Sequence, residues 1–387
     1  MDFSLTSVQI DFQKWISHYM KRNLAPVVSD IENAHQFPME FYMQLAEDGL
    51  LGINFPEKYG GKNADCITCA LLIEETSKYC SSVAGSITTA GMTAPYPLLI
   101  LGSEAQKEKY LYGVPTGEII TAFAISEPDA GSDVTRLSTR GVRDGDHYLI
   151  NGTKIFISNG SVAHIFLVVA DTSSGDQEKN FSLFLVERDT PGLSVSKKFD
   201  KLGWVSQDTT EVAFNDVRVP KENLIGKEGD GLAGGFSSIS FTRILLAITG
   251  VGVAESALNR GIEYSKNTKR SGKALIRQQS IRAELAELAT EVEAARLMVF
   301  RAAWMHDRGV RNRKEVAMSK YYATELAKKV TKAVLRIHGV EGFFTHHQAA
   351  IFFADTPVFT IADGTSQIQL ENISRELGML KSGEMGT

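Results

Sequence analysis

The stretch AISEPDAGSD, residues 124–133, lies where a helical sequence pattern gives way to a strand pattern. It is a polar turn in which Gly131 permits the backbone to approach a ligand closely. The hydroxyls of Ser126 and Ser132 can bind a ring heteroatom or a phosphate. Spacing alone leaves two interpretations open, a ligand-binding turn or a loop that caps its own backbone.

The sequence on either side of this turn divides the chain into three regions. Residues 1–118 carry apolar residues at helical spacing, and a capping box at residues 103–106 predicts a helix start. Residues 119–227 contain short β-branched runs separated by turn signals, which is typical of a compact sandwich or barrel. Residues 228–387 are helical again. We therefore predict an α+β fold with an N-terminal helical domain, a central β-domain and a C-terminal four-helix bundle.

Composition and charge exclude several classes of protein. The chain has 387 residues, 43% of them apolar, and a formal charge of −5, which is typical of a globular protein and does not call for a nucleic-acid partner. The longest strongly apolar run, residues 244–254, is shorter than the roughly 18 residues of a membrane-spanning helix. No secretory or transit signal is evident, and three cysteines suit a reducing compartment, so we expect a cytoplasmic protein.

Two residue patterns are not assigned chemistry. Cys66 and Cys69 form a CxxC motif, for which small buried side chains on a helix are favoured over a metal or redox pair. The histidines of the C-terminal region lack carboxylates or thiols at metal-ligand spacing; these are His338, His346 and His347. We expect no metal site.

More motifs follow the 124–133 turn along the chain. They are NGTKIFISNG at 151–160, LGW at 202–204, DTTE at 208–211, VRVP at 217–220, NLIG at 223–226 and ADGTSQIQ at 362–369. In this order they resemble the signatures of the flavin-dependent acyl-CoA dehydrogenases over essentially the whole chain. The resemblance implies a helical, β, helical architecture with FAD between the last two domains. It also implies a homotetramer and an electron-transfer flavoprotein as electron acceptor.

The resemblance further implies a set of flavin contacts. Ser126 should lie near the N5 edge of the isoalloxazine, and residues 156–158 should cover its other side. Phe156 replaces the usual Trp, which keeps an aromatic face but removes an N–H donor. The residues expected to bind FAD are Phe123, Ile125, Ser126, Gly131, Ser132, Phe156, Ser158, Arg270, Gln279, Arg336, Thr365 and Gln367.

The contacts to the FAD pyrophosphate depart from the family pattern. Many relatives place an Arg where this chain has Thr268, and a Gln where it has Arg336. We expect an exchange in which Arg336 supplies the positive charge that Thr268 cannot. Arg270 is the competing supplier.

The resemblance assigns the catalytic base to Asp363. The family's text is typically YEGT, whereas residues 362–365 read ADGT. An Asp is one methylene shorter than Glu, and a misplacement of about 1 Å can cost about 10²-fold in rate. Ala362 also replaces an aromatic residue, so both changes withdraw volume from around the acyl group. One interpretation is a pocket widened for a cyclic or branched acyl group; the other is neutral change toward a slow enzyme.

The resemblance implies an α,β-dehydrogenation of an acyl-CoA thioester, in which Asp363 takes the α-proton and flavin N5 accepts the β-hydride. The specific hypothesis is conversion of cyclohexane-1-carboxyl-CoA to cyclohex-1-ene-1-carboxyl-CoA, because the alicyclic branch of the family is one in which we expect an Asp base. The residues expected to contact substrate are Ser132, Ser240, Arg243, Ala362 and Gly364. Alternatives are a short or branched acyl-CoA, a nitroalkane oxidase-like reaction, the reverse enoyl-CoA reduction, and a non-catalytic flavin-binding scaffold.

Overall fold

The N-terminal region is helical. The computed structural model describes residues 4–174 and 178–379. The first seven helices are α1 Ser7–Asn23, α2 Val28–Ala34, α3 Met39–Glu47, α4 Cys66–Ser77, α5 Ser81–Thr88, α6 Tyr96–Leu101 and α7 Glu104–Tyr110. A π-helical turn, Thr89–Thr93, joins α5 to the segment before α6. The predicted capping box is confirmed, since Ser103 and Gln106 exchange side-chain and backbone hydrogen bonds at the start of α7.

The central region forms one eight-stranded mixed sheet. Its strands are β1 Thr121–Ala124, β2 Arg140–Asp144, β3 His147–Ser158, β4 Ile165–Asp171, β5 Phe181–Glu187, β6 Leu193–Val195, β7 Thr209–Pro220 and β8 Leu224–Ile225. The strand order is β6-β7-β3-β2-β4-β5-β8, and β1 pairs with β4 in parallel. Successive residues of β4 belong to two different cores, so both of its faces are covered. The pairing of β3 with β7 shifts register between Lys154 and Ile157, which bends β3 where its motif ends.

The C-terminal region is helical again. It contains α8 Gly231–Ser237, α9 Ile239–Asn267, a small hairpin of β9 Lys269–Arg270 and β10 Lys273–Ala274, then α10 Gln279–Asp307, α11 Arg313–His338, α12 Gln348–Phe359 and α13 Ser366–Glu376. Helices α9, α10 and α11 pack against one another, and α4 packs against α9 and α10. The N-terminal helices and the C-terminal bundle therefore share one hydrophobic core. The predicted α+β class and the helix, sheet, helix order are confirmed. The predicted domain limits, at 118/119 and 227/228, fall in loops between named elements.

One helical stretch is long and apolar enough to cross a membrane by length and composition. It is Gly231–Asn267, and 67% of the tested window is buried inside the protein, as in the core helix of a folded domain. The stretch is not evident as a run of consecutive apolar residues, since the longest strongly apolar run covers only residues 244–254.

All three regions meet at one buried carboxylate, Asp355 on α12. Its Oδ2 accepts a hydrogen bond from Ser81 Oγ at 2.5 Å, and its Oδ1 accepts one from the backbone N–H of Trp204 at 2.7 Å. The indole Nε1–H of Trp204 donates to Ser81 Oγ at 2.9 Å. Gly203 allows this approach, because a Cβ there would lie 2.3 Å from the carbonyl oxygen of Ala354. A loop of the β-domain, a helix of the N-terminal region and a helix of the bundle are thereby fixed to one another.

Replacing Asp355 should loosen this junction. In Asp355→Ala the Trp204 N–H and the Ser81 hydroxyl lose their buried acceptor, which we expect to cost about 2–4 kcal/mol of unfolding free energy. Asp355→Asn keeps one oxygen acceptor and should cost less. Thermal unfolding followed by tryptophan fluorescence measures both, with the exposed Asp200→Ala as control. An equal unfolding midpoint for Asp355→Ala and Asp200→Ala would contradict the role of this junction.

Candidate active site

The predicted ligand-binding turn, residues 124–133, is fixed to β3 by a buried ion pair. Lys154 Nζ donates to Glu127 Oε1 at 2.8 Å and to the carbonyl oxygen of Ile125 at 3.0 Å. The two charged side chains are 0% and 3% exposed. Glu127 also accepts hydrogen bonds from the backbone N–H groups of Ser138 and Thr139. The turn is therefore held from inside the protein, and its outer side is left open.

The charges of this pair persist at neutral pH. Burial opposes ionisation of Glu127, but the Lys154 charge and the hydrogen bonds outweigh it and hold the pKa of Glu127 at about 2. Burial lowers the pKa of Lys154 to about 8, against the opposing effect of Glu127. Between these values both groups are ionised, so the turn stays attached to β3.

An exposed aromatic side chain lies on the strand that pairs with the turn. The N–H of Ile155 donates to the carbonyl oxygen of Ser126 at 2.9 Å, which brings the two motifs side by side. Phe156 lies in the irregular part of β3 with a φ of 60°, and its side chain is 66% exposed. A large apolar side chain held outward by strained backbone is unusual without a partner surface. A Cβ at Gly131 would meet no atom within 4 Å, so the other flank is open as well.

These features fit a planar aromatic cofactor such as a flavin. Phe156 offers a face for stacking, and the half-buried Ser126 and Ser158 offer hydroxyls beside it. Beyond Ser158, both amide atoms of Asn159 and the hydroxyl of Thr210 are buried and have no hydrogen-bond partner among the described residues. Phe123 and Ile125 are partly buried at the start of the turn, and Ser132 is exposed at its end. The residues expected to line the ring thus come from two motifs of the β-domain that are hydrogen-bonded to each other at Ser126 and Ile125.

Asp363 lies in the tight turn between α12 and α13. Its φ is +55° and that of Gly364 is +90°, so two successive residues are left-handed. Arg243 Nε of α9 donates to the carbonyl oxygen of Asp363 at 2.9 Å, and Lys320 Nζ of α11 donates to that of Gly364 at 2.8 Å. Gln369 Nε2 of α13 also donates to Gly364 O at 2.8 Å. Three side chains from three helices therefore hold the turn.

The position after Asp363 requires glycine. A Cβ at Gly364 would lie 2.9 Å from Gln369 Nε2 and 3.0 Å from an Arg243 Nη atom, and its φ already disfavours other residues. Thr365 then caps α13, because its Oγ1 accepts from the N–H of Ile368 at 3.3 Å. The backbone of the turn therefore accounts for the glycine and the threonine of the sequence ADGT, independently of any ligand.

Opposing effects act on the Asp363 carboxyl group. Burial raises its pKa above the ordinary value for Asp, while the positive charges of Lys320 and Arg243 act to lower it. Burial in turn lowers the pKa of Lys320 to about 8 and lowers that of Arg243. The site is thus a poorly solvated carboxyl group facing two poorly solvated cations.

Other predicted substrate contacts lie around this turn. Ser240 is half-buried on α9, one turn before Arg243. Ala362 is partly buried against the main core, where its small side chain fills little space. Arg243, predicted to contact substrate, uses one of its donors on the turn that carries Asp363.

The residues predicted to bind the outer part of FAD are not gathered with the ring-binding surface. Within residues 4–174 and 178–379, no hydrogen bond or ion pair joins Arg270, Gln279, Arg336 or Gln367 to the motifs at 124–133 and 151–160. Arg336 on α11 forms an ion pair with Glu284 on α10. Arg270 is exposed on the β9–β10 hairpin and has no ion-pair partner in the described part of the chain.

The sequence analysis missed two lysines that organise the site. Lys154 belongs to the 151–160 motif, but only its contacts with Glu127 and Ile125 show that it anchors the 124–133 turn. Lys320 gives a clearer signal, because it falls on the buried face of α11 together with Ala317, Ala323, Thr324 and Ala327. A lysine at such a position needs a polar partner inside the protein. The three cysteines are buried and free, and no cluster of His, Cys, Asp or Glu suited to a metal occurs among the described residues.

Comparison with known proteins accounts for the whole chain. Models of the acyl-CoA dehydrogenase N-terminal, middle and C-terminal domains match residues 6–118, 122–217 and 229–378. The short-chain specific acyl-CoA dehydrogenase of Clostridium acetobutylicum is 34% identical over 97% of this chain and 100% of that protein. The structure of butyryl-CoA dehydrogenase from Megasphaera elsdenii aligns with a TM-score of 0.93 at 35% identity, covering 97% of this chain and 100% of that one. A chain from structural work on the electron transferring flavoprotein of Acidaminococcus fermentans aligns with a TM-score of 0.93 at 34% identity, covering 97% and 99%.

Breaking the buried pair should release the 124–133 turn. In Lys154→Met the carboxylate of Glu127 stays buried without its cation, which we expect to cost about 3 kcal/mol of unfolding free energy. The double variant Glu127→Gln/Lys154→Met removes both charges and should recover part of that loss. Thermal unfolding measures the effect against Lys197→Met, an exposed lysine of the same domain. If the double variant is no more stable than Lys154→Met, the unpaired buried charge is not the cause.

Proposed function

The chain belongs to the acyl-CoA dehydrogenase family of FAD-dependent flavoproteins, and we propose that it dehydrogenates an alicyclic or α-branched acyl-CoA with Asp363 as the base. The family membership makes it a flavin-dependent oxidoreductase. The proposal adds the identity of the base, the shape of the substrate and the partners.

The observation that carries the proposal is the turn at Asp363. The carboxylate stands on a backbone that three side chains hold in a left-handed conformation, between the bundle helices α9 and α11. The described chain contains no acceptor for the N–H of Asp363 itself. That N–H is therefore available to a substrate oxygen, and the carboxylate of the same residue is available to a proton.

Both groups are needed for removal of an α-proton from a thioester. A carboxylate is a weak base for a carbon acid, so the enolate oxygen has to be stabilised as the proton moves. The N–H of Asp363 can donate to the thioester oxygen while the carboxylate takes the proton from the α-carbon. FAD, when bound, would supply the acceptor for the β-hydride. Phe156, Ser126 and Ser158 would hold its ring.

The substrate class follows from the length of the base and the size of its neighbour. Asp363 and Ala362 together offer less side-chain volume than the usual Glu and Tyr, which leaves room beside the α and β carbons. A ring or an α-branch would fill that room and bring the α-carbon toward the shorter carboxylate. The short-chain and butyryl-CoA relatives favour a second candidate, a short straight-chain acyl-CoA.

Two partners belong to the proposal. A homotetramer would let residues of one subunit reach FAD held by another, which suits the separation of Arg270 and Arg336 from the ring-binding surface. An electron-transfer flavoprotein would reoxidise the reduced enzyme, in keeping with the similarity to a chain from work on such a flavoprotein.

The substrate and the base are tested by anaerobic bleaching of the bound flavin. Cyclohexane-1-carboxyl-CoA should reduce the flavin faster than butyryl-CoA or octanoyl-CoA does. Asp363→Asn should slow this reduction by about 10²–10⁴-fold, the usual contribution of a general base. Faster reduction by a straight-chain thioester would support the second candidate and contradict the cyclic substrate. Reduction by every thioester at an unchanged rate in Asp363→Asn would remove Asp363 from the mechanism.

The arginine that contacts the pyrophosphate is tested by flavin retention. An exposed ion pair is worth little, so the contact with Glu284 does not prevent Arg336 from binding phosphate. We expect Arg336→Gln to lose flavin on gel filtration, and Arg270→Ala tests the competing supplier, which has no ion-pair partner in the described chain. The ratio of flavin to protein absorbance measures both. Full retention in Arg336→Gln would contradict the exchange of Arg336 for the missing arginine at Thr268.

A further inference from the structure

Lys320 is a buried lysine without a carboxylate in ion-pair contact among the described residues. Its side chain is completely buried on α11, and its one hydrogen bond goes to the carbonyl oxygen of Gly364 at 2.8 Å. Removing an ammonium group from water costs several kcal/mol unless polar groups compensate. An apolar side chain such as Met would fill the same space without that cost. The fold therefore gives no reason for a lysine here, and the reason has to come from the turn that it contacts.

The turn is held from α11 at two points. Lys320 donates to Gly364 O, and five residues further along the helix Glu325 accepts a hydrogen bond from Ser366 Oγ at 2.6 Å. Asp363 lies just before the first of these points, in a left-handed conformation that costs about 1 kcal/mol or more for a residue other than glycine. The two contacts from α11 therefore help to fix the position of the Asp363 carboxylate.

Two cations that hydrogen-bond to the turn also act on the Asp363 carboxylate. Lys320 of α11 and Arg243 of α9 donate to the carbonyl oxygens of Gly364 and Asp363, and their charges act to lower the pKa of Asp363 against the effect of burial. The charged neighbours of Lys320 are Asp363, Arg243 and Glu325, and Glu325 is itself paired with Lys328. Among the acids that act on Lys320, Asp363 has the larger effect and Glu325 the smaller one.

We propose that Lys320 is a positioning residue for the base, which holds the Asp363–Gly364 turn by its hydrogen bond and, together with Arg243, keeps the Asp363 carboxylate ionised by its charge. This inference rests on the proposed role of Asp363 as the base. It separates into two parts, a hydrogen bond that any donor of similar reach can make and a charge that only a cation can supply.

The direction of the pH effect follows from the sign of the charge. An Asp base works in its ionised form, so the rate falls as the pH drops through its pKa. Removal of a nearby positive charge raises the pKa of an acid. Loss of Lys320 therefore moves the acid limb of the pH–rate profile to higher pH, by about one unit if its charge acts as a neighbouring cation does.

Three variants of Lys320 separate the two parts. Lys320→Gln keeps a donor without the charge, Lys320→Met removes both, and Lys320→Arg keeps the charge. The readout is the rate of anaerobic flavin reduction by the most reactive acyl-CoA between pH 5 and pH 9, with kcat and KM measured separately. Thermal midpoint and flavin content identify any variant that fails to fold. Lys329→Met is the matched control, because Lys329 lies on the same helix, is exposed and pairs with Glu291 at 2.7 Å.

We expect the acid limb of the pH–rate profile to move to higher pH in both Lys320→Gln and Lys320→Met. It should keep its wild-type position in Lys320→Arg and Lys329→Met. In Lys320→Met the limiting kcat should also fall, by up to about 10²-fold, because a shift of about 1 Å in the position of a base can have an effect of that size. Folded, flavin-loaded Lys320→Gln with the wild-type acid limb would overturn the inference. A variant series in which only the thermal midpoint changes would do the same.

The variant Asp363→Asn distinguishes failure of the proposed function from failure of the inference about Lys320. If Asp363→Asn retains the wild-type rate, the proposed function fails and Lys320 has no base to position. If Asp363→Asn is inactive while every Lys320 variant has the wild-type pH profile, only the inference about Lys320 fails.

Discussion

The contact of Asp355 with Ser81 and Trp204 is the constraint on which the arrangement of the site depends. Asp355 lies on α12, and the turn that carries Asp363 begins directly after that helix. Trp204 belongs to the loop between β6 and β7, and its ring also packs on Phe359 near the end of α12, with centroids 5.4 Å apart. These contacts tie the sheet that carries the proposed flavin-binding motifs to the helix that precedes Asp363, the proposed base. A rotation of the β-domain would have to break this buried network or carry the base with it.

This constraint has an electrostatic cost that depends on pH. Burial and the nearby Glu32 raise the pKa of Asp355 to about 7, so the folded chain binds a proton at pH values where the unfolded chain has lost it. A carboxyl group with a raised pKa favours folding while it is protonated. Its contribution therefore falls as the pH rises from about 4 toward 7. At the Glu127–Lys154 pair the sign is reversed for the acid, whose pKa is lowered and whose ionised form is the stable one.

The order of the three regions could be recognised from short stretches of sequence, and the same kind of signal is what singles out the 124–133 turn and Asp363 as the proposed ring-binding turn and base. Capping residues, β-branched runs and the ADGT text are local signals, and the structure places them in the predicted elements. The contacts that hold the site together could not be recognised in this way. Ser81, Trp204 and Asp355 are more than 100 residues apart, and Lys320 and Gly364 are separated by 44. No periodicity links such pairs, and a single sequence gives no covariation that would connect them. The long apolar helical stretch Gly231–Asn267 could not be recognised from a run of consecutive apolar residues either, because polar residues interrupt it along its length.

The rigidity of the Asp363 turn bears on how a shortened base can work. A flexible loop could move forward by the length of the missing methylene and serve the same substrates as a Glu. Here Arg243, Lys320 and Gln369 hold the two carbonyl groups from three helices. Moving the turn would break several partly buried hydrogen bonds, each of which contributes about 0.5–1.5 kcal/mol and more where the donor is charged. The adjustment therefore falls to the substrate, whose α-carbon has to come closer to the turn. Selectivity for a bulky acyl group would then arise from a base that cannot move as much as from the space left by Ala362.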